Sequence, residues 1–210
     1  MGIGLSCFLD KSGTGNSANL ASRGGMHGGY ESAIVRVHSD GKVTLFSGSH
    51  SHGQGHDITY SQIAADRLGI DIDDITLIEG DTAMVPFGNG TWGSRSLTVG
   101  GSAMMIAADR IADRARRIAA HMLECAEEDL DYTNALYMVR GTDRQVSFRD
   151  VADNAYHGAR LPAAADGTVS LGLEETVFWE PQDTNDPQAM HLVVVLVDPE
   201  TGVVTLRDYF

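Results

Sequence analysis

The alternation of apolar and polar positions predicts an antiparallel hairpin in the first quarter of the chain. Residues 31–38 alternate in the manner of a half-buried strand, and residues 42–47 (KVTLFS) form the expected return strand. Asp40-Gly41 between them is typical of a tight hairpin turn. The preceding residues 12–29 are almost all small or polar, so we predict a loop there.

Helical spacing of apolar residues predicts three helices farther along the chain. The first covers about residues 57–68 and ends at Gly69. The second runs from about residue 98 to residue 128, and its charges fall mostly on a solvated face. The third covers about residues 146–156, with Ser147 as the expected N-cap.

A short apolar strand, residues 75–78 (ITLI), follows the first helix. A strand, a helix and a second strand predict a right-handed crossover, so the strands at 42–47 and 75–78 are expected to be parallel. Glycine-rich loops occupy residues 48–56 and 80–101, and each of them leads into a helix.

The C-terminal region predicts a second hairpin over residues 191–206, whose plan repeats that of residues 35–45. Each has an apolar strand, a turn with Asp and Gly, and a Val-Thr-Leu return strand. We interpret this as a weak internal repeat of two α+β lobes. Residues 1–165 would form the first lobe, and residues 166–210 the start of an incomplete second one.

Composition and charge exclude some classes of protein. The chain has 210 residues, of which 42% are hydrophobic and 21% charged, as in ordinary globular proteins. Its 15 basic and 29 acidic residues give a formal charge of −14, which argues against nucleic acid or an anionic membrane as the main partner. No apolar run is long enough to span a bilayer, so a cytoplasmic protein is expected. Cys7 and Cys125 lie outside any CxxC motif and are expected to be buried thiols.

The first glycine-rich loop could bind an anion. Residues 47–56 (SGSHSHGQGH) join a strand to a helix, and a helix N-terminus offers unpaired N–H groups and a partial positive charge. Gly53 and Gly55 would let a ligand approach the backbone, and Gln54 between them could donate and accept hydrogen bonds. The alternative is a tight glycine turn with a solvent-facing Gln54.

Histidines in the same loop suggest a different chemistry. His50, His52 and His56 form an HxHxxxH cluster, and two histidines spaced HxH at a strand end can chelate zinc. No HExxH, CxxC or carboxylate cluster completes such a site. A small histidine-metal hydrolase therefore stays open as an alternative function.

The second loop, residues 88–96 (GNGTWGSRS), has a similar character. Its backbone amides and hydroxyls could hold a ligand at the start of the long helix. Arg95 could make paired hydrogen bonds to a phosphate, or it could belong to a structural ion pair in an ordinary capping loop. Neither loop carries a GxxxxGK[ST] nucleotide-binding motif, and no GxGxxG stands where a dinucleotide-binding fold requires it.

Four blocks of sequence carry a resemblance to a known family. In order they are GQGH at 53–56, AADRLG at 64–69, GDT at 80–82 and GTWGSRS at 90–96. With these blocks the chain is similar to the molybdenum-binding large subunit of the xanthine dehydrogenase/aldehyde oxidase/carbon monoxide dehydrogenase family. The resemblance implies a two-lobed molybdopterin-binding domain of the α+β class, with mixed sheets, packed helices and a truncated second lobe.

The resemblance also implies a function and a set of cofactor-binding residues. The complete protein would be an oxidoreductase that hydroxylates a small-molecule substrate, or oxidises carbon monoxide, with water as the oxygen source. Its cofactor would be molybdopterin, as a cytosine dinucleotide in bacterial members, with molybdenum. Electrons would leave through iron–sulfur and FAD subunits or domains of an oligomeric enzyme. The implied cofactor-binding residues are Gly53, Gln54, Gly55, His56, Thr91, Gly93, Ser94, Arg95 and Ser96.

The same resemblance indicates what these 210 residues would lack. The family's catalytic base is a glutamate in a C-terminal glycine-rich segment, which is expected beyond Phe210, so we assign no catalytic residue and no metal ligand here. Glu79, Asp81, Glu174 and Glu175 are expected to be surface or loop carboxylates. We expect the chain alone to lack the cofactor and to be inactive, and a non-catalytic binding domain is a further alternative. If both loops hold one cofactor, they must line one groove.

Overall fold

The computed structural model describes residues 1–158, 160–162, 168 and 170–210. In chain order the strands are β1 Gly2–Leu9, β2 Glu31–Val37, β3 Val43–Ser47, β4 Ile75–Glu79, β5 Leu130–Thr133, β6 Leu136–Val139, β7 Gln145–Ser147, β8 Leu173–Trp179, β9 Gln188–Val197 and β10 Val204–Tyr209. The α-helices are α1 Ser17–Ser22, α2 His56–Leu68, α3 Ser102–Met122 and α4 Phe148–His157. This mixture of helices and several sheets confirms the α+β class.

A four-stranded sheet in the order β4-β3-β2-β8 forms the centre of the fold. Strands β2 and β3 make the predicted antiparallel hairpin, and β3 and β4 are parallel, as the crossover predicted. Strand β8 pairs antiparallel with the other edge of β2. Every residue of β2 except Arg36 is buried, because helices cover the sheet.

Helix α3 supplies most of the surface that packs on this sheet. Alanines and branched aliphatic residues recur on one face at helical spacing, so small side chains let the helix lie close to β2 and β8. Residues Ser96–Gly101 form a π-helical turn immediately before it, so the helical segment begins earlier than residue 98. Helix α2 begins at His56 and ends before a left-handed Gly69, and α4 begins after the N-cap Ser147, as predicted.

A second sheet, in the order β1-β9-β10, is antiparallel throughout. The predicted C-terminal hairpin is confirmed as β9 and β10, whereas β1 was not predicted. The expectation of two buried thiols was wrong for Cys7, which lies on β1 and is exposed. Cys125 is half-buried, and burial raises the pKa of its thiol.

Two smaller elements correct the sequence-based description. The loop expected over residues 12–29 contains the short helix α1, whose N-cap Asn16 accepts a hydrogen bond from the Asn19 N–H at 2.9 Å. The three short strands β5, β6 and β7 form a third sheet that the sequence did not predict.

The expected lobe boundary between residues 165 and 166 lies outside the described residues. Strands from both sides of it share sheets, since β8 pairs with β2 and β9 pairs with β1. Among the residues that the structure describes, no helix is long and apolar enough to cross a membrane.

Candidate functional site

The first loop, residues 48–55, connects β3 to α2 and ends in a tight glycine turn. Gly53 and Gly55 have φ angles of 96° and 74°, in the left-handed region that favours glycine. A Cβ atom built on either would meet no described atom within 4 Å. The backbone of the turn therefore faces open space just before His56, the first residue of α2.

Gln54 at the tip of this turn is exposed, and its amide oxygen accepts a hydrogen bond from the backbone N–H of His52. Because that oxygen is used within the loop, the NH₂ end of the amide is left to donate outward. The Gln54 side chain thus stabilises its own turn and can donate a hydrogen bond from its NH₂ group to a ligand.

The second loop, residues 88–95, is held from behind by a buried ion pair. Arg95 Nη1 lies 2.6 Å from Glu31 Oε2, and both side chains are almost fully buried at 1% and 0% exposure. The same carboxylate accepts from the backbone N–H of Asn89 at 3.2 Å. Glu31, at the start of β2, therefore anchors the loop at two points.

The other guanidinium contacts of Arg95 are also within the protein. It donates to the carbonyl of Gly90 at 2.8 Å and to that of Tyr30 at 2.5 Å, while Nε has no hydrogen-bond partner among the described residues. The structure thus places Arg95 in the ion pair that was the alternative to a phosphate contact. It acts on the loop and not on the cleft described below.

The two loops meet at their bases. A Cβ atom on Gly48 would lie 2.6 Å from Gly88 Cα, so only two glycines allow the backbones to cross at this distance. The hydroxyl oxygen of Thr91 accepts from the backbone N–H of His50 at 3.0 Å and from the hydroxyl of Ser96 at 2.9 Å. Thr91 therefore joins both loops to the start of the π-helical turn.

Above this contact lies one cleft of about 530 Å³. It is lined from both loops and the adjoining helix starts by His52, Gln54, His56, Thr59, Tyr60, Thr91, Trp92, Ser94, Ser96 and Leu97. The expectation that the loops share one groove is confirmed. Five of the expected binding residues line it (Gln54, His56, Thr91, Ser94 and Ser96), while Gly53, Gly55 and Gly93 lie in the adjacent turns.

Tyr60 closes the buried end of the cleft. Its hydroxyl donates to the Ser96 carbonyl at 2.8 Å and lies 3.2 Å from the hydroxyl of Ser49. Burial raises the pKa of Tyr60, so the phenol stays protonated and remains a donor at neutral pH. This hydrogen bond ties α2 to the π-helical turn.

Glu79 was wrongly expected to be a surface or loop carboxylate. It ends β4, its side chain is 14% exposed, and Oε2 lies 3.1 Å from Nδ1 of His56. Oε1 accepts from the backbone N–H of Ser51 at 2.8 Å. Asp81 and Glu174 are exposed, as expected, and Glu175 is half-buried.

Neither the buried Glu31 nor the half-buried Glu79 was predicted as a site residue from the sequence. Glu79 could have been found from topology, because Ser47 and Glu79 are register partners in parallel strands. The loop after Ser47 must therefore begin beside Glu79. For Glu31 the only signal was a carboxylate at the start of an otherwise buried strand.

The three loop histidines do not converge on one point. His56 bonds to Glu79, while the rings of His50 and His52 contact each other edge to face at 5.1 Å. Within the described part of the chain, no group of three or more His, Cys, Asp or Glu side chains is placed to hold a metal ion. The zinc alternative therefore has no ligand set among these residues.

Comparison with known proteins identifies the family. A sequence model described as molybdopterin cofactor-binding domain matches residues 1–210. The chain belongs to this family. It is also 39% identical, over all 210 residues, to the carbon monoxide dehydrogenase large chain of Hydrogenophaga pseudoflava, of which it covers 25%. The family resemblance seen in the sequence is confirmed.

Two solved structures extend the comparison of this molybdopterin cofactor-binding domain. Reconstituted CO dehydrogenase from Oligotropha carboxidovorans superimposes with a TM-score of 0.82 and 36% identity, covering 99% of this chain and 25% of that one. Quinoline 2-oxidoreductase from Pseudomonas putida 86 gives 0.78 and 31%, covering 99% and 26%. The chain thus spans about a quarter of the length of these relatives.

Proposed function

We propose that this chain is the part of a molybdenum hydroxylase large subunit that binds the molybdopterin cofactor in the cleft between residues 48–56 and 88–97. The observation that carries the proposal is the meeting of the two glycine-rich loops at one cleft. The family membership and the likeness to the carbon monoxide dehydrogenase large chain support it.

The chemistry of the cleft fits such a group. Its donors suit a polyanionic pterin phosphate: the open backbone at Gly53 and Gly55, the Gln54 amide and the hydroxyl of Ser94. Bulky side chains would fill the space that the two glycines leave open. Gly93 and Thr91 would complete the second wall, while Arg95 would hold that wall from the protein side.

When bound, molybdopterin would supply the redox centre for a two-electron oxidation of a small-molecule substrate with oxygen from water. We propose the cytosine dinucleotide form of the cofactor, and iron–sulfur and FAD subunits or domains of an oligomeric enzyme as electron acceptors. The match to a protein named a large chain supports the multisubunit part. The two free thiols are compatible with a cytoplasmic location.

We propose that the catalytic base lies outside these 210 residues. Glu79 contacts His56, which lines the cleft, but protein groups engage both oxygens of the Glu79 carboxylate. The chain spans only about a quarter of the length of its relatives, so further cofactor contacts would come from outside it. We therefore propose that the chain alone retains no molybdenum and has no hydroxylase activity.

Gln54→Ala in the complete enzyme tests the proposal. We expect it to lower bound molybdenum and activity, because losing a hydrogen bond to a buried polar ligand costs about 1–3 kcal/mol. The matched control is His50→Ala in the same loop, since the His50 contact with Thr91 uses only its backbone N–H. Metal analysis and an artificial electron acceptor assay read both variants. Loss of a bound metal in His50→Ala, with Gln54→Ala unchanged, would instead favour the histidine-metal hydrolase.

A further inference from the structure

We infer that Glu79 is a positioning residue that fixes His56 in one tautomer, so that His56 Nε2 accepts a hydrogen bond from an N–H or O–H group of the ligand in the cleft. The inference deepens the proposed function and rests on it for the identity of that ligand. It assigns a hydrogen-bond acceptor of fixed orientation to the cleft.

The geometry of the pair restricts the imidazole ring. His56 is the first residue of α2 and Glu79 the last of β4, and their side chains are 7% and 14% exposed. Both carboxylate oxygens are in use, one by His56 Nδ1 at 3.1 Å and the other by the Ser51 backbone N–H at 2.8 Å. The ring also contacts Tyr60, with centroids 5.1 Å apart. Three elements therefore hold its orientation.

A carboxylate only accepts hydrogen bonds, so the shared proton must reside on Nδ1 of His56. In the neutral ring Nε2 then carries a lone pair. No protein group of the described chain bonds to Nε2, and His56 lines the cleft. The free nitrogen is therefore available to a ligand.

The groups around His56 indicate what kind of ligand its Nε2 would bind. Gln54 has its amide oxygen turned into its own loop, and the Tyr60 hydroxyl donates to Ser96. The amide oxygen of Gln54 and the phenol proton of Tyr60 are thus already used within the protein. A ligand that itself carries N–H or O–H groups, such as an amino-substituted heterocycle, would find its acceptor in Nε2.

Nitrogen-15 NMR of histidine-labelled chain tests the tautomer directly, at about pH 8, above the range in which histidine side chains usually titrate. His56→Gln assigns the signals. We expect the wild-type His56 to be protonated on Nδ1. In Glu79→Gln the new amide keeps its oxygen on the Ser51 N–H and turns its NH₂ toward His56, so the proton should move to Nε2.

Asp153→Asn is the matched control, because Asp153 forms an exposed pair with Nδ1 of His157 at 3.2 Å, far from the cleft. It should leave the signals of His56 unchanged. A wild-type His56 protonated on Nε2 would overturn the inference, and so would a tautomer that ignores Glu79→Gln. The wild-type measurement decides the matter even if a variant fails to fold.

Molybdenum retention in the complete enzyme tests whether His56 contacts the molybdenum cofactor. With its acceptor converted to a donor, Glu79→Gln should lose molybdenum to a chelator about 10-fold faster than wild type, the scale expected for the loss of one hydrogen bond to a bound polar ligand. Unchanged retention in Glu79→Gln, with a clear loss in Gln54→Ala, would overturn the contact while the proposed function survives. If Gln54→Ala also retains molybdenum, the proposed function fails, and only the effect of Glu79 on the tautomer stands.

Discussion

The four-stranded sheet and the β1-β9-β10 sheet are both made of strands rich in Val, Leu and Ile, yet they have opposite environments. In the first, β2 is buried almost throughout, and α3 packs on it, while α2 packs on α3 and on the neighbouring strand β4. In the second, the apolar β9 is only half-buried at its centre. Within the described chain its extensive contacts are with its own two neighbours.

This difference shows that an apolar strand pattern predicts a strand but not its burial. Burial requires a second layer, and of these two sheets the described chain covers only the four-stranded one. Apolar side chains of the other sheet remain exposed, among them Ile3, Leu5, Val204 and Leu206. Three pairs of matched substitutions test whether covered and exposed sheets also differ in their contribution to the free energy of unfolding.

The largest effect is expected at the buried ion pair of the four-stranded sheet. Glu31→Gln leaves the Arg95 charge buried without its partner, which should lower the free energy of unfolding by about 3–5 kcal/mol. Urea unfolding measures it. The control in the other sheet is Asp208→Asn, which breaks the exposed pair with Arg207 and should cost less than about 1 kcal/mol. Equal effects would remove the energetic contrast between the sheets.

A smaller effect is expected from truncating one leucine in each sheet. Leu45→Ala in β3 opens a cavity in the hydrophobic core and should cost about 2–5 kcal/mol. Leu206 in β10 is 59% exposed, so Leu206→Ala should change stability by no more than about 0.5 kcal/mol. A large loss in Leu206→Ala under the same urea titration would show that the second sheet is packed in solution.

The smallest effect concerns alkaline pH. Burial raises the pKa of Tyr132 to about 12, and raises that of its stacked neighbour Tyr137 as well. The unfolded chain releases these protons near pH 10, earlier than the folded one, so the free energy of unfolding should fall as pH rises from about 10 to 12. Tyr132 lies in β5 of the third sheet, which packs against the core as the four-stranded sheet does. Tyr132→Phe should flatten this decline, whereas Tyr209→Phe in the exposed β1-β9-β10 sheet should not. If Tyr132→Phe leaves the pH dependence of the free energy of unfolding unchanged, Tyr132 does not contribute to the decline.

Local patterns were sufficient for part of the fold. The β2–β3 hairpin, α2 with its stop at Gly69, and α4 with its Ser147 cap depend on neighbours within a few residues, and the sequence predicted them. Strand β1 escaped prediction because its glycines interrupt the alternation and its partner β9 lies near the other end of the chain. The helix α1 is too short to show a periodicity.

For the site, too, residues in local motifs were predicted, and residues that act through distant partners were missed. Gln54 and Ser94 were predicted because they sit in short motifs that resemble a known family, and both line the cleft. Glu31 and Glu79 act through partners distant in sequence, Arg95 and His56, so no local pattern marks them. For Arg95 the motif gave the residue and left two roles open, and only the packing around Glu31 separated them.

The crossing of Gly48 and Gly88 has a consequence for how such a site can change over evolution. The loops already touch backbone to backbone, so neither a smaller residue nor a rotamer change can bring them closer at that point. Any larger residue there would force them apart and disturb the Thr91 hydrogen bonds. Adaptation of the cleft to different occupants is therefore expected away from this crossing, for example at Leu97 on the exposed rim.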